Sequence, residues 1–304
     1  MQIITHPTCL DHLVSSGHPE RPERLSHLLD HLADVDCARS AEKIIAPPAP
    51  AESILLAHSR EHLAYVEAMR PEEGVVPLDP DTWLSPDSQS AATLAAGALC
   101  HGVDNLLGDR TKRVFCAIRP PGHHAETDAA MGFCIFNSVA IGALHALKHY
   151  DLNRIAILDF DVHHGNGTVE ICRDHPDILV CSSFQHPFYP HRFFESDWPN
   201  IVNTPLPAGT ESADFRTAIE RDWLPALAAH QPDLILVSAG FDAHEQDPIA
   251  QLRLNEEDFR WITQVIVDQA ERYAGGRVLA ALEGGYDLEA LATSVTAHLS
   301  ALAD

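Results

Sequence analysis

The stretch LDFDVHHGNGT (158–168) closes an apolar run, RIAIL, with two aspartates and two histidines inside six residues. An ionised side chain is costly to bury unless it is paired or holds a metal. The segment therefore calls for an ion, a substrate or a complete hydrogen-bond network. Asp161 and His163 stand two apart, so in extended backbone they face the same side. A carboxylate and an imidazole so placed make two legs of a metal site. Asp242, at the end of a later apolar run, is the best-placed third leg. An Asp2His set leaves coordination positions open, as catalytic metal sites do. Its oxygen content suits Zn2+ and is compatible with Fe2+. Taken alone, the Asp-x-His pair fits a closed polar network at a strand end at least as well. Histidines and acids at neighbouring strand ends tip the balance toward a metal.

Asp159 shares the alternation of Asp161 and His163 and can orient a histidine from behind. His123 and His124 lie in a Pro-Pro-Gly turn whose prolines fix the backbone. Two imidazoles there can divide labour, one moving the proton of an attacking water, the other holding charge or a hydrogen bond. Tyr286 follows Gly284 and Gly285, and glycines let a loop come close to a site. A phenol so placed can donate to a developing oxyanion, although a turn with a packed tyrosine has the same pattern.

These residues need carriers. Strand-like runs at 113–118, 154–161, 177–184, 233–240 and 277–285 are apolar throughout and alternate with helix-like runs at 137–150, 213–230, 255–273 and 287–303. That pattern predicts a parallel sheet covered on both faces. Asn255 is a good cap for the third of these helices. The first hundred residues read as mostly helical, with Ser85 and Pro86 expected to open a long helix. In open α/β sheets ligands bind beyond the carboxyl ends of the strands, which is where the histidines, acids and Gly-rich turns collect. No internal repeat or linker appears, so residues 1–304 read as one domain.

The bulk numbers exclude some functions. A formal charge of −24 argues against a nucleic-acid or anionic-membrane binder. No apolar run approaches the ~18 residues of a membrane span, and MQIITHPTCLDH has no signal-peptide character. Seven cysteines, odd in number and without a CxxC pair, predict reduced thiols in a cytoplasmic protein.

RPPGHHA (119–125), GFCIFN (132–137), LDFDVHHGNGT (158–168), SAGFDAHEQDP (238–248) and LEGGYD (282–287), preceded by HPERPERL (18–25), resemble in order the zinc-dependent histone deacetylase superfamily, bacterial deacetylase-like amidohydrolases included. The resemblance implies the α/β arginase/deacetylase fold, with a central parallel sheet of about eight strands flanked by helices. It implies one Zn2+ held by Asp161, His163 and Asp242. His124 would be the general base and then the acid, and His123 an electrostatic partner tied to Asp159. Tyr286 would bind the acyl carbonyl. Gly132, Phe133 and Phe188 would line a narrow tunnel for an acylated amine, with Gly284 and Ile249 also beside the substrate. Arg24 would belong to the acetate-release region. A structural K+ would lie near Asp159, Asp161 and His163, with Ser182 contributing.

Asn166 stands where class I members carry an aspartate against the base, which is the class II pattern; Glu283 is class II-like too. The swap leaves His124 with less charge compensation. Ile249, after Asp247 and Pro248, takes the place of an acidic gatekeeper in the polyamine-selective animal member. An apolar side chain suits the neutral stem of an acyl-lysine protein or peptide, so that is the expected substrate, with acetylpolyamine as the alternative. A binuclear arginase-type centre would need further aspartates, and Asp242-x-His244 stands instead. A non-catalytic binding module would lack a ligand, the base or the tyrosine, and all are present.

Overall fold

Strands that are apolar along their whole length must be covered from both sides, and five such runs form the middle of one sheet. The computed structural model describes residues 1–195 and 197–304. In chain order the strands are β1 (Gln2–Thr5), β2 (Glu42–Ile45), the short antiparallel pair β3 (Val76–Pro77) and β4 (Trp83–Leu84), β5 (Arg113–Cys116), β6 (Ile155–Asp159), β7 (Ile178–Gln185), β8 (Ile201–Leu206), β9 (Leu234–Ala239) and β10 (Val278–Leu282). The main sheet has eight strands in the order β2-β1-β5-β10-β9-β6-β7-β8, and every pairing is parallel. The five strands read from the sequence are the inner five. The outer three, β1, β2 and β8, escaped that reading.

Side-chain alternation assigns the two helical layers. A Cβ on Gly102, in the helix Ser88–Leu107, would run into the side chains of Val114 and Leu279, so this helix covers their face. Phe115, next along β5, points the other way and meets His298 of the helix Leu288–Ala303 at a ring separation of 5.6 Å. The helix Glu256–Tyr273 packs beside it and opens with a complete capping box, Asn255 with Asp258. Ser85 does not cap the long helix, which begins at Ser88 with Asp87 as its N-cap. Its hydroxyl instead binds Leu13 N, Asp11 O and Ser88 Oγ, tying the N-terminal segment to the helix start. Among the described residues no helix is long and apolar enough to cross a membrane.

Register sets the site. Asp159 at the end of β6 pairs with Ser238 of β9 and Ser182 of β7, and Leu282 of β10 pairs with Ala239. The residues that follow β6, β9 and β10 therefore leave the sheet at one level, and they carry Asp161, His163, Asp242, Gly284 and Tyr286.

His298 makes the core sensitive to acid. Thr263 Oγ1 donates to Phe259 O (2.6 Å), so His298 Nδ1–H must be the donor to Thr263 Oγ1 (2.7 Å). Burial pushes this imidazole down to about 3. A base depressed in the fold takes up a proton only on unfolding, so stability falls as pH drops from its ordinary value of 6.5 toward 3. One such group contributes a slope of about 1.4 kcal/mol per pH unit. His298→Leu is expected to flatten the denaturant-midpoint curve by about one proton over that window; an unchanged slope would contradict it.

Candidate functional site

One donor atom each from Asp161, His163 and Asp242 lie within 4.8 Å of one another, all buried. His163 Nδ1 is 3.1 Å from Asp161 Oδ1 and 3.1 Å from Asp242 Oδ2. The carboxylates are held from behind by backbone donors. Gly284 N binds Asp161 Oδ2 at 2.9 Å and Val162 N binds Asp242 Oδ1 at 2.9 Å. Gly284 leaves no room for a side chain, since a Cβ there would collide with Oδ2 of both aspartates. The donor set fits a divalent cation. Metal–ligand bonds of about 2.0–2.2 Å place tetrahedral ligands roughly 3.3 Å apart, close to the spacing around Nδ1. The charge distribution fits as well. Burial and the neighbouring Asp161 raise Asp242, and the two aspartates, against the effect of burial, push His163 up to about 10. The pocket favours positive charge. Ser182, beside Asp159 in the sheet, has a buried hydroxyl oxygen with no hydrogen-bond partner among the described residues.

The rings of His123 and His124 lie 4.0 Å apart, tilted by 43°, and sit in opposite fields. His123 Nδ1 meets Asp159 Oδ2 at 3.0 Å, and its Nε2 lies 3.7 Å from Asp161 Oδ1. Burial opposes its charged form, but Asp161 and Asp159 raise it well above the ordinary histidine value. His124 meets Asn166 Oδ1 through Nδ1 at 2.7 Å. Burial, then the charges of His123 and His163, lower it well below that value. One imidazole is held charged and the other neutral. Glu283 anchors the turn that carries them, its Oε2 accepting from Gly122 N (2.7 Å) and His123 N (3.2 Å).

A narrow cavity of about 150 Å³ leads to this cluster. His124 and His163 are among its lining residues, with Gly132, Phe133, Phe188, Ile249 and Tyr286. Phe188 stacks on His163 at 5.2 Å, and Phe133 meets the Tyr286 ring edge-on at 5.8 Å. Phe133 has φ 69°, the left-handed region that a bulky residue rarely enters. Asp81 and Tyr189 complete the wall. Asp81 Oδ1 accepts from Gly132 N at 3.0 Å. Gly284, expected beside the substrate, is absent from this lining and lies against the aspartates, its N–H on Asp161.

Arg24 is fully buried and spent on protein contacts. It binds Glu20, Gly285 O and Glu283 O, and its guanidinium lies 4.7 Å from the centre of the Tyr286 ring. Arg119 binds the same Glu20 through two nitrogens. Burial alone would raise Glu20, but Arg119, His12 and Arg24 hold it well below the usual carboxylate range. The Gly-Gly-Tyr loop thus hangs on a buried ionic knot. Sequence reasoning passed over Glu20, Arg119, Glu126 and Asp81 as site residues. Only Glu283 carried a signal, standing directly before Gly-Gly-Tyr.

The histone deacetylase domain model matches residues 18–302. The chain is 35% identical over 279 residues to the histone deacetylase-like amidohydrolase of Pseudomonas aeruginosa, covering 90% of this chain and 73% of that one. It is 38% identical over 297 residues to polyamine deacetylase HDAC10 of Mus musculus, covering 91% of this chain and 43% of that longer one. The crystal structure of the HDA15 HD domain superposes with a TM-score of 0.93 at 32% identity, over 99% of this chain and 87% of that one.

The ionic knot can be tested without any substrate. Glu20→Gln leaves Arg24 and Arg119 buried and uncompensated, which is expected to cost about 3–5 kcal/mol. A guanidinium melt reads this as a lowered midpoint; a midpoint within error of the parent's would show that the knot does not hold the loop.

Proposed function

The chain belongs to the histone deacetylase domain family, and from that premise we propose that it is a zinc-dependent amidohydrolase removing acetyl, or a longer acyl group, from the side-chain amide of lysine in a protein or peptide. One observation carries the reading. Asp161 and Asp242 converge on His163, and His163 lines a narrow cavity together with a neutral imidazole, His124, and a phenol, Tyr286.

Asp161, His163 and Asp242 would hold the metal, which when bound supplies a Lewis acid at the amide carbonyl and lowers the pKa of water. The protein's own groups do the rest. His124 begins neutral, as a base must, with Nδ1 held by Asn166 and Nε2 free to take the proton of the attacking water. As the water oxygen bonds to the carbonyl carbon, the Tyr286 hydroxyl donates to the oxygen that gains charge. His123, kept charged against Asp159, offsets that negative charge nearby. His124 returns its proton to the amine nitrogen as the C–N bond breaks, releasing the carboxylic acid and the amine, which become carboxylate and ammonium when the acid's proton passes to the amine. The apolar walls formed by Phe133, Phe188 and Ile249 suit an uncharged methylene stem. The unpartnered Ser182 hydroxyl beside Asp159 supports a monovalent cation such as K+ as a structural companion. Seven free cysteines support a reducing, cytoplasmic setting, and the charge of −24 supports partners other than nucleic acid or anionic membrane.

A second reading, an acetylpolyamine as the amine, is favoured by the Asp81 carboxylate in the cavity wall and by the relative named polyamine deacetylase. Parallel hydrolysis assays on acetyl-lysine peptides, longer acyl-lysine peptides and acetylated putrescine and spermidine decide between them. The acyl-lysine peptides are expected to give the higher kcat/KM; a polyamine preference of orders of magnitude would overturn the substrate while leaving the chemistry.

Metal analysis is expected to return one zinc per chain. Tyr286→Phe is expected to lower kcat by about 10²–10³ with zinc retained, and His124→Ala by about 10²–10⁴. Two metals per chain, or a Tyr286→Phe enzyme of parental rate, would refute the mechanism.

A further inference from the structure

Asn166 is an ambiguous partner for a catalytic base. A side-chain amide presents an acceptor on one side and a donor on the other. With Oδ1 toward His124 Nδ1, the imidazole must carry its proton on Nδ1, and Nε2 keeps its lone pair. With the amide turned over, an N–H would face Nδ1, the proton would move to Nε2, and His124 could no longer act as a base. An aspartate in this position would offer an acceptor either way. The asparagine therefore needs something else to set its orientation.

We propose that Glu126 is a positioning residue that fixes the Asn166 amide in the one orientation leaving His124 Nε2 unprotonated, an assignment that rests on His124 being the base of the proposed reaction. Asn166 Nδ2 donates to Glu126 Oε1 at 2.7 Å, matching the 2.7 Å contact from Oδ1 to His124 Nδ1. All three side chains are buried, with Asn166 at 0%, His124 at 4% and Glu126 at 7% exposure, so water does not readily replace these partners. An ionised carboxylate is acceptor-only; it can face the amide nitrogen but not the amide oxygen. The turned-over amide would push Oδ1 against Glu126, and also against His124 O and Met131 Sδ, which lie 3.3 Å from Nδ2. The carboxylate is the closest of the three and the only ionisable one; burial raises it, while Asn166 and Arg192 favour its charged form.

Glu126 is itself held. Arg192 lies 3.1 Å from its other oxygen, Oε2. The nearby acid Glu170 accepts from Thr127 N (3.0 Å) and Thr127 Oγ1 (2.7 Å). The line from His124 through Asn166 and Glu126 ends at the half-exposed Arg192, on the loop that also carries Phe188 and Tyr189. Charge missing at Asn166 is restored one residue further out, and it acts by steering an amide rather than by touching the imidazole.

The experiment uses zinc-loaded enzyme labelled with 15N-histidine, with two-bond nitrogen–proton spectra reporting the His124 tautomer. The parent is expected to show the Nδ1–H form. Glutamine both donates and accepts, so Glu126→Gln tolerates either amide orientation. It is expected to populate the Nε2–H form and to lower kcat by roughly ten- to a hundredfold, with KM changed less than about twofold. Adding Asn166→Asp to that variant supplies an acceptor that cannot be misoriented, and should restore both the Nδ1–H signature and most of kcat. A merely structural Glu126 would leave the double variant no better than the single one. That result, or an unchanged tautomer in Glu126→Gln, overturns the proposal. The tautomer spectrum decides the matter even if the parent turns over no acylated amine, an outcome that would strike at the proposed function instead.

Discussion

Two carboxylates buried around one imidazole cannot be left to themselves. Asp161 and Asp242 both reach His163 Nδ1 at 3.1 Å, out of contact with bulk water. Like charges this close in a low-dielectric interior repel strongly unless a cation stands among them. A cation there would relieve that repulsion, and the surrounding backbone holds the acids in place to receive one. Backbone donors on Gly284 and Val162 aim the carboxylates, and two glycines, Gly240 and Gly284, let neighbouring strand ends press directly against them.

The same field separates the two histidines of the Pro-Pro-Gly turn. His123 faces Asp159 and Asp161 and, against burial, is drawn to its charged form; His124 is pushed to neutrality first by burial and then by the charge of His123 beside it. Adjacent residues of one type thereby acquire opposite protonation preferences, which is the division that acid–base chemistry on an amide requires. Glu283 keeps the two from drifting by holding the turn through its backbone.

The tyrosine loop is fixed by a different device. Gly285 and Glu283 offer their carbonyls to Arg24, Arg24 and Arg119 share Glu20, and Glu20 belongs to the N-terminal segment. A distant stretch of chain thus sets the position of a phenol in the cavity wall. Such a knot adds little net stability over a well-packed apolar alternative, but removing one member strands the others.

Much of this was legible in the sequence. The inner strands β5, β6, β7, β9 and β10 show as apolar runs because both their faces are covered. The candidate metal ligands show because a cation would need acids and imidazoles at strand ends, and Asp161 and His163 stand there two residues apart, with Asp242 at the end of a later strand. Strands β1, β2 and β8 do not show. β1 has four residues, β2 is the largely exposed edge EKII, and β8 is broken by Asn203, Thr204 and Pro205. Glu20, Glu126 and Asp81 were decided by tertiary structure alone. Their partners lie 99, 40 and 51 residues away. In a chain of charge −24, an acid that will be buried against an arginine or an amide looks the same as one that will face water. Only folding removes the water from one and not the other, and it is that loss of water which gives the carboxylate its role.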